Sequence, residues 1–444
     1  MNRVISVGKT LRNHWKKSTF AACLVAYGGW YLDDRNRTNL MMRAFCEHAK
    51  AYGDQALPAG AKPRHITVII NPTAKDGSGK ILYEKYAAPL FHLAGIRVSY
   101  FTTEYAGQAK SLMEVLENTD AVVIAGGDGT LHEAVTGIMS RSDYATACKQ
   151  YPMGVIPAGK TNAVAKQLFW EPGMNEPRWI ASSAMAIVKE QLSMLDVARV
   201  ELRQEEAAKG EEAPVEVNDP QVVYALGRLE QGAFRDARST IPKYWYFGAL
   251  RARAAFFFNA LKDLPEPTAA SLSYVEPCAG CSRCFVDEAG EARQVARRRW
   301  WSSFVPRSAP QAAEPRTDYS KIINNDCGMQ RHSVLGHCQL DISANSRKDL
   351  HALNLSVSPP SSGRMQFFSE CMQRHTGSHK SLALRELLAR ELDLEFRNGT
   401  KKENESESQD STKTVSVDSV EYQAHRIYLK LIPRVLHVYS AVNA

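Results

Sequence analysis

Ala121-Val-Val-Ile-Ala125 runs directly into Gly126-Gly127-Asp128-Gly129-Thr130, and this stretch decides the fold. The first five residues are uncharged and mostly β-branched, which predicts a buried strand. The glycines that follow end it in a turn, and a helical stretch carrying Glu133 comes next. A strand, a glycine turn and a helix in that order form one unit of a parallel sheet. Three more apolar runs repeat the theme at residues 66–70 (Ile-Thr-Val-Ile-Ile), 98–101 and 153–156, the first two followed by helical patterns. Sheets of this kind place ligands outside the carboxyl ends of their strands. The glycines let backbone amides approach an anion at a helix N-terminus. Asp128 adds a carboxylate suited to a base or a Mg²⁺ contact.

Two other turns lie at the ends of these strands. Asn71-Pro72 follows the first, and Gly77-Ser78-Gly79-Lys80 opens the next helix, so Gly79 is a candidate phosphate contact. Gly154-Val-Ile-Pro-Ala-Gly159-Lys160-Thr161 satisfies the pattern of a phosphate-binding P-loop. However, Val155 and Ile156 read as strand, and Pro157 stiffens the turn and removes an amide donor. The expectation is therefore a turn that touches phosphate through Gly159 and Thr161 as part of the same crevice. Residues 192–196 end in Asp196, a faint candidate for the second carboxylate that a P-loop enzyme needs.

From about residue 192 the pattern becomes strand-rich, at 192–197, 198–202 and 222–226, with an acidic loop over 205–219. A strand pair is expected near the end at 414–417 and 426–432. Residues 276–330 read as a long exposed insertion and 398–414 as a polar loop. Residues 382–396 read as an amphipathic helix on Leu384, Leu387, Leu388 and Leu392. The predicted organisation is a leader over 1–60, an α/β domain over 61–200 and a β domain over 201–444.

The net charge of +7 on 444 residues is too small for a dedicated nucleic-acid binder. No apolar run is long enough for a polytopic membrane protein, and nine scattered cysteines do not make a disulfide framework. Arg3, Lys9, Arg12, Lys16 and Lys17 crowd into the first twenty residues with no acid among them, and residues 18–32 carry no charge. As a helix that stretch reaches about 22 Å, short of a bilayer core of roughly 30 Å. A mitochondrial address or a shallow membrane anchor is expected.

Asn71-Pro72 with its glycines, Thr103-Glu104 before a helix, and the Gly126–Thr130 turn with Glu133 together resemble the diacylglycerol/sphingosine kinase family. Residues 9–17, 117–120, 232–236, 243–248 and 429–434 are similar to its mitochondrial, acylglycerol-phosphorylating branch. The resemblance spans roughly 1–275 and 414–440. It implies a Rossmann-like nucleotide domain followed by a β-sandwich lipid-binding domain, with a C-terminal return to the nucleotide cleft. It also implies a kinase that uses ATP and Mg²⁺ to make lysophosphatidic and phosphatidic acid from acylglycerol lipids.

Asn71, Thr103, Gly126, Gly127, Gly129, Thr130 and Glu133 are then nucleotide contacts. Asp128 and Asp418 are the catalytic and metal-contacting carboxylates. Arg251 would meet phosphate and Asp236 the lipid head group. The same resemblance implies residence at the mitochondrial inner membrane, facing the intermembrane space. An additional or alternative role follows as a structural subunit of the carrier translocase there. NAD kinase shares the Gly-Gly-Asp-Gly-Thr run but lacks its downstream Asn-Glu signature here.

Two departures stand out. The family's Pro-x-Gly-Thr-x-Asn-Asp turn reads Pro157-Ala-Gly159-Lys160-Thr161-Asn162-Ala163, and its Asp-Gly-Glu reads Asp418-Ser419-Val420, with Glu421 one place late as a possible substitute metal contact. Residues 328–400 match poorly. Cys278-x-x-Cys281-x-x-Cys284 has metal-ligand spacing without an evident fourth ligand and reads as incidental. Arg297-Arg-Arg-Trp-Trp301 suits an anionic lipid surface, and His132 reads as a helix-surface residue.

Overall fold

The computed structural model describes residues 15–56, 60, 62–204, 220–262, 267–278, 280–283, 322–347, 350–359, 363–376, 385–397 and 413–441. Arg3, Lys9 and Arg12, the acidic loop 205–219, Cys284, residues 297–301 and nearly all of the polar loop 398–414 lie outside the described residues. The chain divides into two units, the first up to Met194 and again from Leu436, the second Leu195–Val435.

In the first unit, strands β1 (His65–Ile70), β2 (Arg97–Thr102), β3 (Ala121–Gly126) and β4 (Met153–Pro157) pair in parallel in the order β2-β1-β3-β4. Every residue of β3 and β4 is buried, as an apolar run covered on both faces must be. Val68, Ile70, Val123 and Ile156 form a core with Leu90 and Phe91 from helix Ala88–Leu93 and with Ile180, Ala184 and Ile187 from helix Glu176–Val188. From β1 the chain steps to one side to make β2 and then to the other to make β3. The topological switch therefore falls between β1 and β3.

The leader is longer than its apolar stretch. A single helix runs Trp15–Gly53, with Phe20, Leu24, Tyr27, Trp30 and Tyr31 exposed. Its later part is not a separate segment, because Ala49 is fully buried and Met42, Phe45 and Tyr52 pack on the first unit's core. Among the described residues no helix is long and apolar enough to cross a membrane.

The second unit is a sandwich of two antiparallel sheets. One contains β7 (Arg228–Gly232), β10 (Gln339–Arg347), β11 (Leu350–Ser358), β12 (Arg385–Ala389), β14 (Lys413–Val417) and β15 (Val420–Ala424), in the order β12-β11-β10-β7-β14-β15. The other is built from β5 (Leu192–Arg203), β6 (Gln221–Ala225), β8 (Thr268–Val275), β9 (Gln330–His337), β13 (Glu391–Arg397) and β16 (Arg426–Tyr439). Leu272, Leu394, Phe396 and Ile427 from this sheet share one core with Leu340, Leu355, Val415 and Val417 from the first. Three helical segments follow β7: Ala233–Ser239, the 3-10 helix Ile241–Leu250 and Arg251–Leu261.

Three expectations are corrected. Residues 385–397 are strands β12 and β13, not a helix. Glu391-Leu-Asp-Leu-Glu-Phe396 alternates, and Leu392, Leu394 and Phe396 are fully buried, at about 1.5–3 kcal/mol for each large side chain. That period of two outweighs the helical spacing of the leucines before it. Residues 414–417 and 426–432 do not pair with each other. β14 pairs with β15 across a turn at Asp418 and Ser419, whose φ values of 46° and 72° suit a two-residue hairpin, while β16 lies beside β13 in the other sheet. The two segments at 192–202 form one strand.

His337 is fully buried, and its Nε2 lies 2.6 Å from Gln231 Oε1. Burial holds its pKa down at about 4. Between the ordinary histidine value of about 6.5 and that figure the unfolded chain binds the extra proton, so stability is full above that range and falls as pH drops through it. The difference corresponds to roughly 3 kcal/mol. In acid titrations followed by circular dichroism, His337→Gln should flatten the stability loss between pH 6.5 and 4; an unchanged slope would contradict this.

Candidate functional site

Three turns meet at the carboxyl ends of β1, β3 and β4 in the first unit. Their closest approach is backbone to backbone. A Cβ on Gly159 would lie 2.3 Å from Gly127 Cα and 2.7 Å from Asn162 Oδ1, and a Cβ on Gly127 would lie 3.3 Å from Gly159 Cα. Gly159 is needed because its turn touches the β3 turn with no room for a side chain, and Gly127 faces it with little to spare. A Cβ on Gly126 would meet the Thr130 side chain at 2.9 Å, and one on Gly79 would meet Ala74 Cβ at 2.9 Å and Asn71 O at 3.1 Å.

Asn71 spans the switch point. Its Nδ2 donates to Thr130 Oγ1 at 2.8 Å, and its Oδ1 accepts from Thr73 N and Oγ1 at 3.0 and 2.8 Å. Thr103 is buried at the end of β2, its N donating to Ile70 O at 2.9 Å. Gly129 and Glu133 follow on helix Asp128–Met139, both half-buried.

Asp128 is 6% exposed, and its carboxylate joins the β3 turn to the β4 turn. Oδ2 accepts from Thr161 Oγ1 at 2.5 Å and Ala163 N at 3.0 Å; Oδ1 accepts from Val164 N at 3.3 Å. It thereby caps helix Ala163–Phe169, whose first amides need acceptors. Among the described residues Oδ1 accepts one hydrogen bond, which leaves it a second acceptor position. Asn162, at φ 48°, closes the turn by accepting from Gly159 N and donating to Gly159 O, both at 2.9 Å.

Sequence reasoning passed over Asn162, although Asn is the side chain that best tolerates a left-handed turn. It also missed the ion pairs Lys160–Asp76 at 2.6 Å and Lys75–Glu176, in which Lys75 and Asp76 both adopt positive φ. Lys160, standing where the family pattern has threonine, thus ties the β4 turn to the β1 turn. Both groups of the Lys160–Asp76 pair are more than half exposed, so it is worth about 1 kcal/mol or less.

The P-loop reading fails on register. Residues 154–157 pair with 123–126 inside the sheet and cannot form a phosphate-cradling loop. Gly154 is there for packing, because a Cβ would come within 2.6 Å of Ile187 Cδ1. Asp196 holds His351 Nδ1 at 2.7 Å and Arg434 N at 2.9 Å in the second unit. His132 is buried at 2% exposure, not on a helix surface.

The remaining predicted site residues lie in the second unit. Asp418 is buried, and its carboxylate accepts from Leu226 N, Gly227 N and Arg228 N, each at 2.9 Å. Such a set holds the 226–228 turn against the β14–β15 hairpin. Asp236 and Glu421 meet through a residue the sequence reading did not single out: Arg235 reaches Asp236 Oδ1 at 2.6 Å and Glu421 Oε1 at 2.7 Å. The guanidinium is 7% exposed and both carboxylates are mostly exposed. Arg251 is exposed at the start of helix Arg251–Leu261, whose Phe256 and Ala260 are buried.

The family model for the diacylglycerol kinase catalytic domain matches residues 65–200, and that for the acylglycerol kinase C-terminal region matches 226–444. The mitochondrial acylglycerol kinase of Homo sapiens is 35% identical over 97% of this chain and 95% of its own, and that of Xenopus laevis 33% identical over 98% and 95%. A solved structure of a putative diacylglycerol kinase from Bacillus anthracis str. Sterne is similar at 14% identity and a TM-score of 0.48, covering 86% of this chain and 98% of that one.

Gly159→Ala should force the β3 and β4 turns apart, destabilising the chain by about 1–3 kcal/mol and weakening nucleotide binding. Denaturant unfolding and titration with a fluorescent ATP analogue measure the two effects; wild-type values in both would show that the turns do not touch as described.

Proposed function

The chain belongs to the acylglycerol kinase family of lipid kinases, and from that premise we propose that it transfers the γ-phosphoryl group of ATP to the hydroxyl of mono- and diacylglycerol. The observation that carries the proposal is the backbone contact of the β3 and β4 turns at the switch point, with the buried Asp128 carboxylate joining them. Asn71, Gly126, Gly127, Gly129 and Thr130 line the nucleotide side, where bare backbone and a helix N-terminus favour phosphate. Thr103, Glu133, Gly79, Gly159 and Thr161 support the same crevice.

Mg²⁺ bound with ATP would neutralise charge on the moving phosphoryl group. The open acceptor position on Asp128 Oδ1 fits an ion that takes one or two protein carboxylates and otherwise keeps water and phosphate oxygens. Asp128 is therefore the proposed metal contact, and its charge shapes the field around the attacking hydroxyl. Asp418, with three amides on its carboxylate, is proposed to position the 226–228 turn instead of contacting the metal. Asp236 and Glu421, fixed by Arg235, are proposed to meet the polar head of the acceptor.

Lipid access is the second requirement. Residues 241–261 contain no acid, and they expose Trp245, Tyr246, Phe247, Leu250, Phe257 and Phe258 beside Lys243, Arg251 and Arg253. Amphipathic aromatics with cations suit the interface of an anionic membrane, at about 1 kcal/mol per basic residue. The mitochondrial relatives support residence in mitochondria. The exposed apolar part of helix Trp15–Gly53 favours attachment to a membrane, proposed to be the inner membrane on its intermembrane-space side. It also favours the second proposed role, a structural subunit of the carrier translocase, because it offers a long unpartnered surface to neighbouring helices.

Asp128→Asn should lower kcat with ATP and acylglycerol by at least about 100-fold while circular dichroism stays native. A folded wild-type chain no more active than this variant would remove the kinase assignment, and carrier import restored by the variant in depleted mitochondria would support the structural role. Trp245→Ser combined with Phe257→Ser should reduce sedimentation with anionic vesicles by about tenfold; undiminished sedimentation would place the lipid contact elsewhere.

A further inference from the structure

Strands β8 and β9 pair antiparallel up to Val275 opposite Gln330. Beyond that pair the two chains leave the ladder together, so three residues further along each strand Cys278 and Cys327 come opposite one another. Cys281 follows Cys278 after two residues, and the thiols of Cys278, Cys281 and Cys327 all lie within 4.8 Å of one another. Cys281 is fully buried and the other two are half-buried, and none of the three forms a disulfide. The pairing that makes this cluster is tertiary. The sequence spacing suggested Cys284 as the third thiol, but the fold brings in Cys327 from the far side of a 45-residue connection, 282–326.

We propose that Cys278, Cys281 and Cys327 form a zinc site that clamps the base of the insertion between β8 and β9. Zinc–thiolate bonds of about 2.3 Å put tetrahedral sulfurs about 3.8 Å apart, so the three sulfurs need close by only about 1 Å around the ion. Soft thiolates, without hard oxygen donors in the cluster, select zinc over magnesium or calcium.

The surroundings are built for the same purpose. Asn324 Nδ2 donates to Cys278 Sγ at 3.4 Å, the kind of outer hydrogen bond that steadies a thiolate ligand. Gly280 beside Cys281 and Gly328 after Cys327 adopt φ of 134° and 83°, which lets the backbone turn tightly at both cysteine segments. The two segments are tied together before any ion binds, by Ser282 N to Ile322 O at 2.9 Å and Arg283 Nη1 to Asn325 O at 3.2 Å. On binding, each thiol releases its proton to solvent and the sulfur lone pair forms the bond to zinc, with no change of oxidation state. The fourth position is left to a solvent molecule or another donor. The ion would act as a cross-link across a long connection, limiting the unfolded chain.

The full chain, purified reduced in zinc-containing buffer and desalted, should carry about one zinc per molecule by elemental mass spectrometry. Cys278→Ser combined with Cys327→Ser should lose at least nine-tenths of it, whereas Cys23→Ser, at an exposed thiol of the other unit, should retain it. Cobalt exchanged into the wild-type chain should show the visible and near-ultraviolet absorption of a tetrahedral thiolate site, a readout that stands even where a serine variant fails to fold. A strong chelator should lower the melting temperature, and added zinc should restore it. Less than a tenth of a zinc per chain, zinc retained by the double variant, copper in place of zinc, or a Cys278–Cys327 disulfide in protein isolated without oxygen would each overturn the proposal.

Discussion

The contact between Gly127 and Gly159 is the constraint on which the candidate site depends. Two parallel neighbours, β3 and β4, end at the same level, and their turns pass each other where a Cβ on Gly159 would collide with the Gly127 backbone. Once backbone meets backbone there, Asp128 on the first turn can reach Thr161 Oγ1 and the amides of Ala163 and Val164 on the second. One buried carboxylate then caps a helix and joins two turns. Removing any one of these elements leaves buried amides without partners, which is costlier than the loss of the bonds alone.

The same economy explains the departures from the family pattern. In Lys160-Thr161-Asn162-Ala163 the hydroxyl that Asp128 needs is supplied by Thr161, and the amide it needs at 163 is available from alanine as well as from an acid. Lys160 is left to pair with Asp76 at the rim. At the other departure, Ser419 holds a left-handed conformation at φ 72° that glycine would adopt more readily, and Asp418 is fixed there by three amides. The late Glu421 is turned toward Arg235. These substitutions leave the backbone scaffold of the turns intact.

Much of the first unit was legible because its signals are local. The four apolar runs are strands within a residue or two of where their patterns put them, and the glycine turns fall at their carboxyl ends. The reading faltered where two local signals competed. The leucines of 384–392 have helical spacing, yet Leu392, Leu394 and Phe396 alternate, and burial in the sandwich favours the strand. Likewise, segments 414–417 and 426–432 are neighbours in sequence and both strand-forming, but a two-residue turn at Asp418–Ser419 gives β14 a nearer partner.

By itself the sequence determined the parallel sheet, its glycine-rich turns and Asp128 as the carboxylate among them, because strand burial and glycine turns are written in consecutive residues. Only the tertiary structure decided what those groups touch. It set Asn71 on Thr130, gave Asp418 to backbone amides, linked Asp236 to Glu421 through Arg235 and brought Cys327 to Cys278 and Cys281. The reason is physical: these contacts join segments separated by up to about two hundred residues. Strand register, turn geometry and side-chain packing place such segments together, and no local pattern encodes that placement.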